Sequence, residues 1–78
     1  MMQGFVVLYD APKHFGFIRI DPRVADLFFD GRHVLGESVR RADEVEFYLD
    51  DHPKGRGLIA VDVKRITSLA RPGSGTTL

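Results

Sequence analysis

Five short stretches of the chain have the alternation, or the β-branched and aromatic content, that is typical of β-strands. They cover residues 4–9, 15–20, 26–29, 44–49 and 58–66. The alternation is clearest from Glu44 to Phe47, where charged and apolar side chains take turns. Segments rich in Asp, Pro and Gly separate the stretches, at residues 10–13, 21–23 and 50–57, and they indicate turns. The pattern predicts an all-β domain with five strands.

Two regions do not follow this pattern. Residues 30–43 contain Gly31, Gly36 and Ser38, and we expect a long loop there with one helical turn around residues 33–35. Residues 68–78 are small, polar and rich in glycine, which predicts a flexible tail after a domain at residues 1–67. Five strands in so short a domain favour a closed antiparallel barrel, because closure hides the sheet edges.

Composition narrows the class of protein. The chain has 78 residues, 44% of them hydrophobic, and no cysteine, so we expect one small globular domain without disulfides or thiolate metal sites. Its apolar runs are too short to span a bilayer, and we expect a cytoplasmic protein. We find no arrangement of catalytic residues and no metal-ligand spacing among His14, His33 and His52. The sequence therefore predicts no enzyme, metal or cofactor, and three exposed loop histidines.

One hexapeptide, residues 13–18, suggests a binding surface. Lys13 precedes two rings, Phe15 and Phe17, which are separated by Gly16. Side chains two residues apart leave the same face of a strand, so the rings would lie side by side while Gly16 and Ile18 point inward. Exposed aromatic rings next to a cation can hold unpaired bases, because every base has a π-face.

The same residues carry a family resemblance. The chain resembles the bacterial cold-shock domain family in three segments: residues 4–18, which end in Lys-His-Phe-Gly-Phe-Ile; residues 26–30, Asp-Leu-Phe-Phe-Asp; and Lys-Gly-Arg at residues 54–56, continuing to Ala-Val-Asp-Val at residues 60–63. The resemblance covers residues 2 to about 67. It implies a five-stranded barrel of the OB type that binds single-stranded RNA or DNA, as an RNA chaperone does.

The resemblance and the strand pattern together give a set of candidate binding residues. Phe15, Phe17 and Phe28 should lie next to one another, and we call these three rings the aromatic platform. Tyr9 should border it, and Asp30 should share a strand face with Phe28. The phosphate contacts would be Lys13, Arg32, Lys54 and Arg56. We expect Phe5, Phe29 and Phe47 to be core residues instead.

Several departures from the family pattern predict weak binding. Leu8 stands where the family has an exposed tryptophan, and Asp30 stands where it has a histidine. Strict alternation would bury Leu8, whereas the family position would expose it through a local bulge. A carboxylate at position 30 would repel phosphates or accept a base amino group. The chain also has 11 basic and 11 acidic residues, although most nucleic-acid binders have a basic excess.

These departures leave other interpretations open. The same barrel could be a protein-interaction or self-association module, with Leu8 and the platform buried against a partner or a second copy. A further alternative is that the chain is one domain of a longer protein.

Overall fold

Six β-strands form within residues 1–55 and 57–66, the part of the chain that the computed structural model describes. A single 3₁₀ turn, Gly31–His33, lies between the third and fourth strands. The strands are β1 Met2–Asp10, β2 Phe15–Arg19, β3 Leu27–Asp30, β4 Val34–Leu35, β5 Glu44–Asp51 and β6 Leu58–Arg65. The five predicted strands are present, and β4 is an additional two-residue strand within the predicted loop. The predicted tail at residues 68–78 lies outside the described residues.

The five longer strands close into a barrel in the order β3-β2-β1-β5-β6. Neighbours in this order are antiparallel, but β3 and β6 close the barrel as a parallel pair, with Phe28 opposite Ile59 and Phe29 opposite Ala60. The prediction of an entirely antiparallel barrel was therefore wrong at this pair. The reason is geometric: an odd number of strands cannot alternate in direction all the way around a closed ring.

The barrel interior is filled by apolar side chains from all the longer strands and from Val39 in the loop before β5. Phe29 and Phe47 are fully buried, as predicted, together with Val6, Ile18, Val45, Ala60 and Val63. Phe5 was predicted to be a core residue and is instead 54% exposed. Its neighbours Gly4 and Val6 face inward, so alternation along β1 turns Phe5 to the outside.

A β-bulge in β1 determines which of its side chains face outward. The β1–β2 register shifts between Val6 and Leu8, so that Val6 pairs with Ile18 and Leu8 with Phe17. Val6 is buried, Leu8 is 45% exposed, and Tyr9 pairs with the buried Gly16. The extra residue reverses the alternation. Leu8 thus reaches the outer face, as the resemblance implied, and its predicted burial by strict alternation was wrong.

Candidate nucleic-acid interface

The aromatic platform lies on the outer face of β2 and β3. Phe17 pairs directly with Phe28 across the two strands, and all three platform rings are half-buried. The ring centroids of Phe15 and Phe17 are 6.0 Å apart, those of Phe15 and Phe28 are 6.0 Å apart, and those of Phe17 and Phe28 are 5.9 Å apart. These distances fall within the range of favourable aromatic pairs, so the rings support one another.

Gly16 explains why both phenylalanines of β2 face outward. Gly16 and Ile18 are the buried residues of this strand. A Cβ atom on Gly16 would lie 2.5 Å from the carbonyl oxygen of Leu8 and 2.7 Å from Cζ of Phe29. The inner side of β2 therefore has room only for glycine at this point. Because side chains alternate, Phe15 and Phe17 must occupy the opposite face.

Leu8 extends the platform along a cross-strand row. It lies opposite Phe17, which lies opposite Phe28, and the row Leu8–Phe17–Phe28 crosses three strands. Leu8 offers apolar contact to a base but has no ring to stack on it. The row is therefore aromatic at two of its three positions.

His52 joins the platform from the loop after β5. Its ring centroid lies 6.2 Å from that of Phe28, with the two planes tilted by 45°. The backbone N–H of Lys54 donates to Nδ1 of His52 over 3.0 Å, which orients the ring and leaves Nε2 to face other partners. The sequence pattern assigned His52 to an exposed loop and missed this contact. Only the path of the β5–β6 loop brings the ring to Phe28, and no local signal encodes that path.

Tyr9 lies on the inner side of β1. Its ring stacks on that of Phe29, with centroids 5.8 Å apart and planes within 5° of each other. A Cβ atom on Gly31 would lie 2.7 Å from the Tyr9 hydroxyl oxygen, so this hydroxyl is packed against the backbone of the 3₁₀ turn. The structure does not bring Tyr9 to the outer face with the platform, and its contact with nucleic acid stays a prediction.

Asp30 lies at the edge of the platform, opposite Phe15, and is bound by Arg32. Nε of Arg32 donates to Oδ1 over 3.2 Å and Nη2 donates to Oδ2 over 2.9 Å. The backbone N–H of Arg32 also donates to Oδ1, over 2.9 Å, and so caps the 3₁₀ turn. The Arg32 side-chain hydrogen bonds, helped by this backbone bond, lower the pKa of Asp30 to about 2. Each residue thus offsets the charge of the other.

The remaining predicted cations differ in their surroundings. Lys13 is exposed in the turn before β2, where its backbone N–H donates to Oδ1 of Asp10 over 3.2 Å. With His14, Asp30 and Arg32 it lines a shallow depression of about 390 Å³ next to Phe15. Lys54 is exposed beside His52. Among the described residues neither lysine takes part in an ion pair, whereas Arg56 lies outside them.

Neither a metal-binding cluster nor a membrane-spanning helix is present among the described residues. Residues 1–55 and 57–66 contain no cluster of His, Cys, Asp or Glu side chains that could hold a metal ion. In the same ranges, no helix has the length and apolar character needed to cross a bilayer.

Comparison with known proteins agrees with this architecture. A family model described as the 'Cold-shock' DNA-binding domain matches residues 2–66. Among solved structures, the chain is similar to Drosophila Unr CSD456, with 30% sequence identity and a TM-score of 0.69. That similarity covers 95% of this chain but 28% of the Unr chain, so the domain spans about a quarter of it. A search of curated proteins finds no match. None of these matches specifies a bacterial member of the family.

Proposed function

Because the chain belongs to the cold-shock domain family, we propose that it binds single-stranded RNA or DNA by stacking bases on the aromatic platform. Cold-shock domains are nucleic-acid-binding modules, and the family match covers all the strands of the barrel. The family assignment does not identify the binding residues, and we propose that the platform residues of this chain bind the bases.

One observation carries the proposal: three half-buried rings lie within about 6 Å of one another on a single outer face. Half-burial fixes the rings in place and leaves part of each π-surface open to a ligand. Stacking on such a ring contributes about 1–3 kcal/mol per base, whichever base it is. We propose that the platform holds two or three bases with little sequence preference, and that His52 borders the base next to Phe28.

We further propose that binding is weaker than in a typical family member, as suits an RNA chaperone that releases its strand. Leu8 supplies no ring at the end of the cross-strand row. Arg32 is engaged by Asp30 over two hydrogen bonds, so a phosphate would have to compete with that carboxylate. Lys13 and Lys54 take part in no ion pair among the described residues, and we propose that they contact the backbone of the strand.

The decisive experiment is a titration of a fluorescent oligothymidylate and an oligouridylate, followed by fluorescence anisotropy at low salt. We expect Phe17→Ala to weaken binding by about 5- to 150-fold, because one stacking surface worth about 1–3 kcal/mol is lost. His52→Ala should weaken binding less, since its ring lies at the platform edge. Tyr48→Ala is the matched control, because Tyr48 is an aromatic residue that is 52% exposed on β5. If the native chain fails to bind either oligonucleotide at low salt, the proposal is wrong.

A second function is favoured by the apolar character of the same surface. Leu8 is 45% exposed and adjoins the platform, and the chain has no net charge. A patch of this kind could bury itself against a second copy or another protein. Sedimentation velocity over a range of protein concentrations tests self-association. Self-association is supported if the mass rises with concentration in the native chain but not in Phe17→Ala. A mass that stays at the monomer value at every concentration would exclude self-association.

A further inference from the structure

Phe5 forms a second exposed aromatic site on the outer face of the barrel. It is 54% exposed and lies opposite Arg19 of β2. An open groove of about 480 Å³ passes over it, lined by Phe5, Val6, Val7, Arg19, Arg41 and Ala42. We call this the Phe5 groove. Its volume lies within the range of clefts that hold small ligands.

The segment that brings Arg41 and Ala42 to the groove is fixed to β1 at the bulge. The backbone N–H of Val6 donates to the carbonyl oxygen of Asp43 over 2.9 Å, and the N–H of Ala42 donates to the carbonyl oxygen of Val6 over 2.7 Å. Ala42 has a φ of 77°, in the left-handed region that non-glycine residues rarely adopt. Such strain persists where surrounding contacts impose it, and it is concentrated at functional sites. The two hydrogen bonds hold Arg41 beside the groove.

The groove carries one available positive charge. Arg19 is engaged by Asp26, to which its Nε and Nη2 donate over 2.9 and 3.2 Å. Arg41 is exposed and has no ion-pair partner in the part of the chain described. An exposed ring and a free guanidinium side by side suit a ligand that is both aromatic and anionic. A nucleotide, with its base and its phosphate, has this combination.

The groove is also continuous with the aromatic platform. In β2 the outward residues are Phe15, Phe17 and Arg19, in that order. Their partners in β1 bring Leu8 opposite Phe17 and Phe5 opposite Arg19. Phe5 and Arg19 therefore form the outward-facing pair next to Leu8 and Phe17. Phe5 is three residues from Leu8, which is no more than about 10 Å along β1 at the usual rise per strand residue. A single strand that crosses the platform through Phe28, Phe17 and Leu8 would continue into the groove.

We propose that the Phe5 groove binds one further nucleotide of a single strand lying on the platform, with the base stacked on Phe5 and a phosphate on Arg41. The inference rests on the proposed function, since it concerns the same strand. It assigns the chain a longer binding site than the platform provides. It also gives a role to an exposed phenylalanine that the barrel core does not need.

A length series of fluorescent oligothymidylates, from about four to about eight nucleotides, tests the inference within the range of site sizes known for OB folds. For the native chain, affinity should rise with length until the groove is filled. Phe5→Ala should leave the affinity for the shortest oligonucleotide unchanged and lower that for the longest by about 5- to 150-fold, the effect of one stacked base. Arg41→Gln should lower the affinity for the same longer oligonucleotides, by a smaller factor than Phe5→Ala does. Tyr48→Ala should bind every length as the native chain does.

The outcomes separate this inference from the proposed function. If Phe17→Ala weakens all lengths while Phe5→Ala weakens none, the platform binds nucleic acid and the groove does not. If Phe5→Ala lowers the affinity for every oligonucleotide length equally, the substitution acts by disturbing the barrel and not by removing a binding site for one nucleotide. The inference is then also overturned. If the native chain binds no length, both proposals fail. Thermal unfolding of each variant identifies any loss of affinity that arises from unfolding.

Discussion

Asp30 illustrates how one side chain acts in two ways at the edge of the platform. Its carboxylate is held by the Arg32 guanidinium and by the Arg32 backbone N–H, so it is both an ion-pair partner and the cap of the 3₁₀ turn. Considered alone, a carboxylate beside Phe15 would repel phosphates. With Arg32 bound, the edge of the platform is nearly neutral, and the main electrostatic cost is that Arg32 is not free for a phosphate.

The pKa of Asp30 gives a stability prediction. Because the folded-state pKa is lowered from 3.8 to about 2 by the Arg32 hydrogen bonds, the carboxylate stabilises the fold above about pH 4, and this contribution is lost as the pH falls to about 2. Asp30→Asn keeps the capping oxygen and removes the charge. We expect it to lower the free energy of unfolding at neutral pH by about 1 kcal/mol or less, because Arg32 is largely exposed and solvent screens the pair.

Urea unfolding of both chains at a series of pH values provides the measurement. The difference between them should shrink as the pH falls from about 4 towards 2. A difference that stays constant over this range would mean that the ion pair contributes nothing and that Asn disturbs the turn for another reason.

Residue by residue, the sequence predicted part of the geometry of the candidate site and not the rest. The i, i+2 spacing of Phe15 and Phe17 was sufficient to bring their rings onto one face, and Phe28 pairs with Phe17 as expected. His52 could not be predicted, because its contact with Phe28 depends on where a loop folds back. Arg32 was predicted as a phosphate contact, but the short-range pairing with Asp30 competes for its guanidinium.

At the scale of elements, the bulge in β1 determines the composition of the outer face. Before the bulge Phe5 faces outward, and after it Leu8 does, while Val6 and Tyr9 face inward. A period of two predicts the strand but cannot predict this reversal, because the bulge lies where Val6 forms hydrogen bonds with the distant residues Ala42 and Asp43. The positions of Leu8 and Tyr9 both follow from it.

The close approach of β2 to its neighbours gives a prediction for Gly16. A methyl group there would meet the backbone oxygen of Leu8 and the ring of Phe29 at 2.5 and 2.7 Å. Since a backbone oxygen cannot rotate away, we expect Gly16→Ala to lower the free energy of unfolding by about 3 kcal/mol, at the upper end for overpacking. Thermal or urea unfolding measures this loss.

Gly36→Ala serves as the control for Gly16→Ala. Gly36 has a φ of 75°, and a Cβ atom added there would have no atom of the described residues within 4 Å, so the variant has backbone strain without a steric clash. Gly36→Ala should lower the free energy of unfolding by about 1 kcal/mol. If the two variants lose the same stability, the packing of β2 against β1 and β3 is looser than the distances indicate.

At the scale of the whole molecule, several arginines are paired with carboxylates. Ion pairs join Arg19 to Asp26, Arg23 to Asp21, Arg32 to Asp30, and Arg65 to Glu37 and Asp43. The chain has no net charge, and four of its arginines are engaged by carboxylates of the described residues. Binding would depend mainly on stacking, with few phosphate contacts.

The salt dependence of binding tests this balance. If Lys13 and Lys54 are the main phosphate contacts, the logarithm of the association constant should fall with the logarithm of the salt concentration with a slope of about −1 to −2, from about −0.7 per contact on a single strand. Anisotropy titrations at several salt concentrations measure the slope. A slope steeper than about −4 would require about six phosphate contacts, and it would contradict a binding mode that depends mainly on stacking.

The barrel itself was largely predictable from the sequence. Alternation and turn residues located the five longer strands, and the segments shared with the cold-shock family indicated a five-stranded barrel. The parallel closing pair of β3 and β6 was missed because the strand pattern carries no information about direction. Counting the strands would have revealed it, since five cannot close with every neighbour antiparallel.

The central claim is that bases lie on the aromatic platform, and NMR titration tests it most directly. The ¹⁵N- and ¹³C-labelled chain would be titrated with an oligothymidylate while backbone amide and aromatic ring signals are followed. We predict the largest shifts at Phe15, Phe17, Phe28 and His52, with little change at Tyr48. An absence of shifts at the platform rings, or shifts centred on Tyr48 and the outer face of β5, would contradict the account.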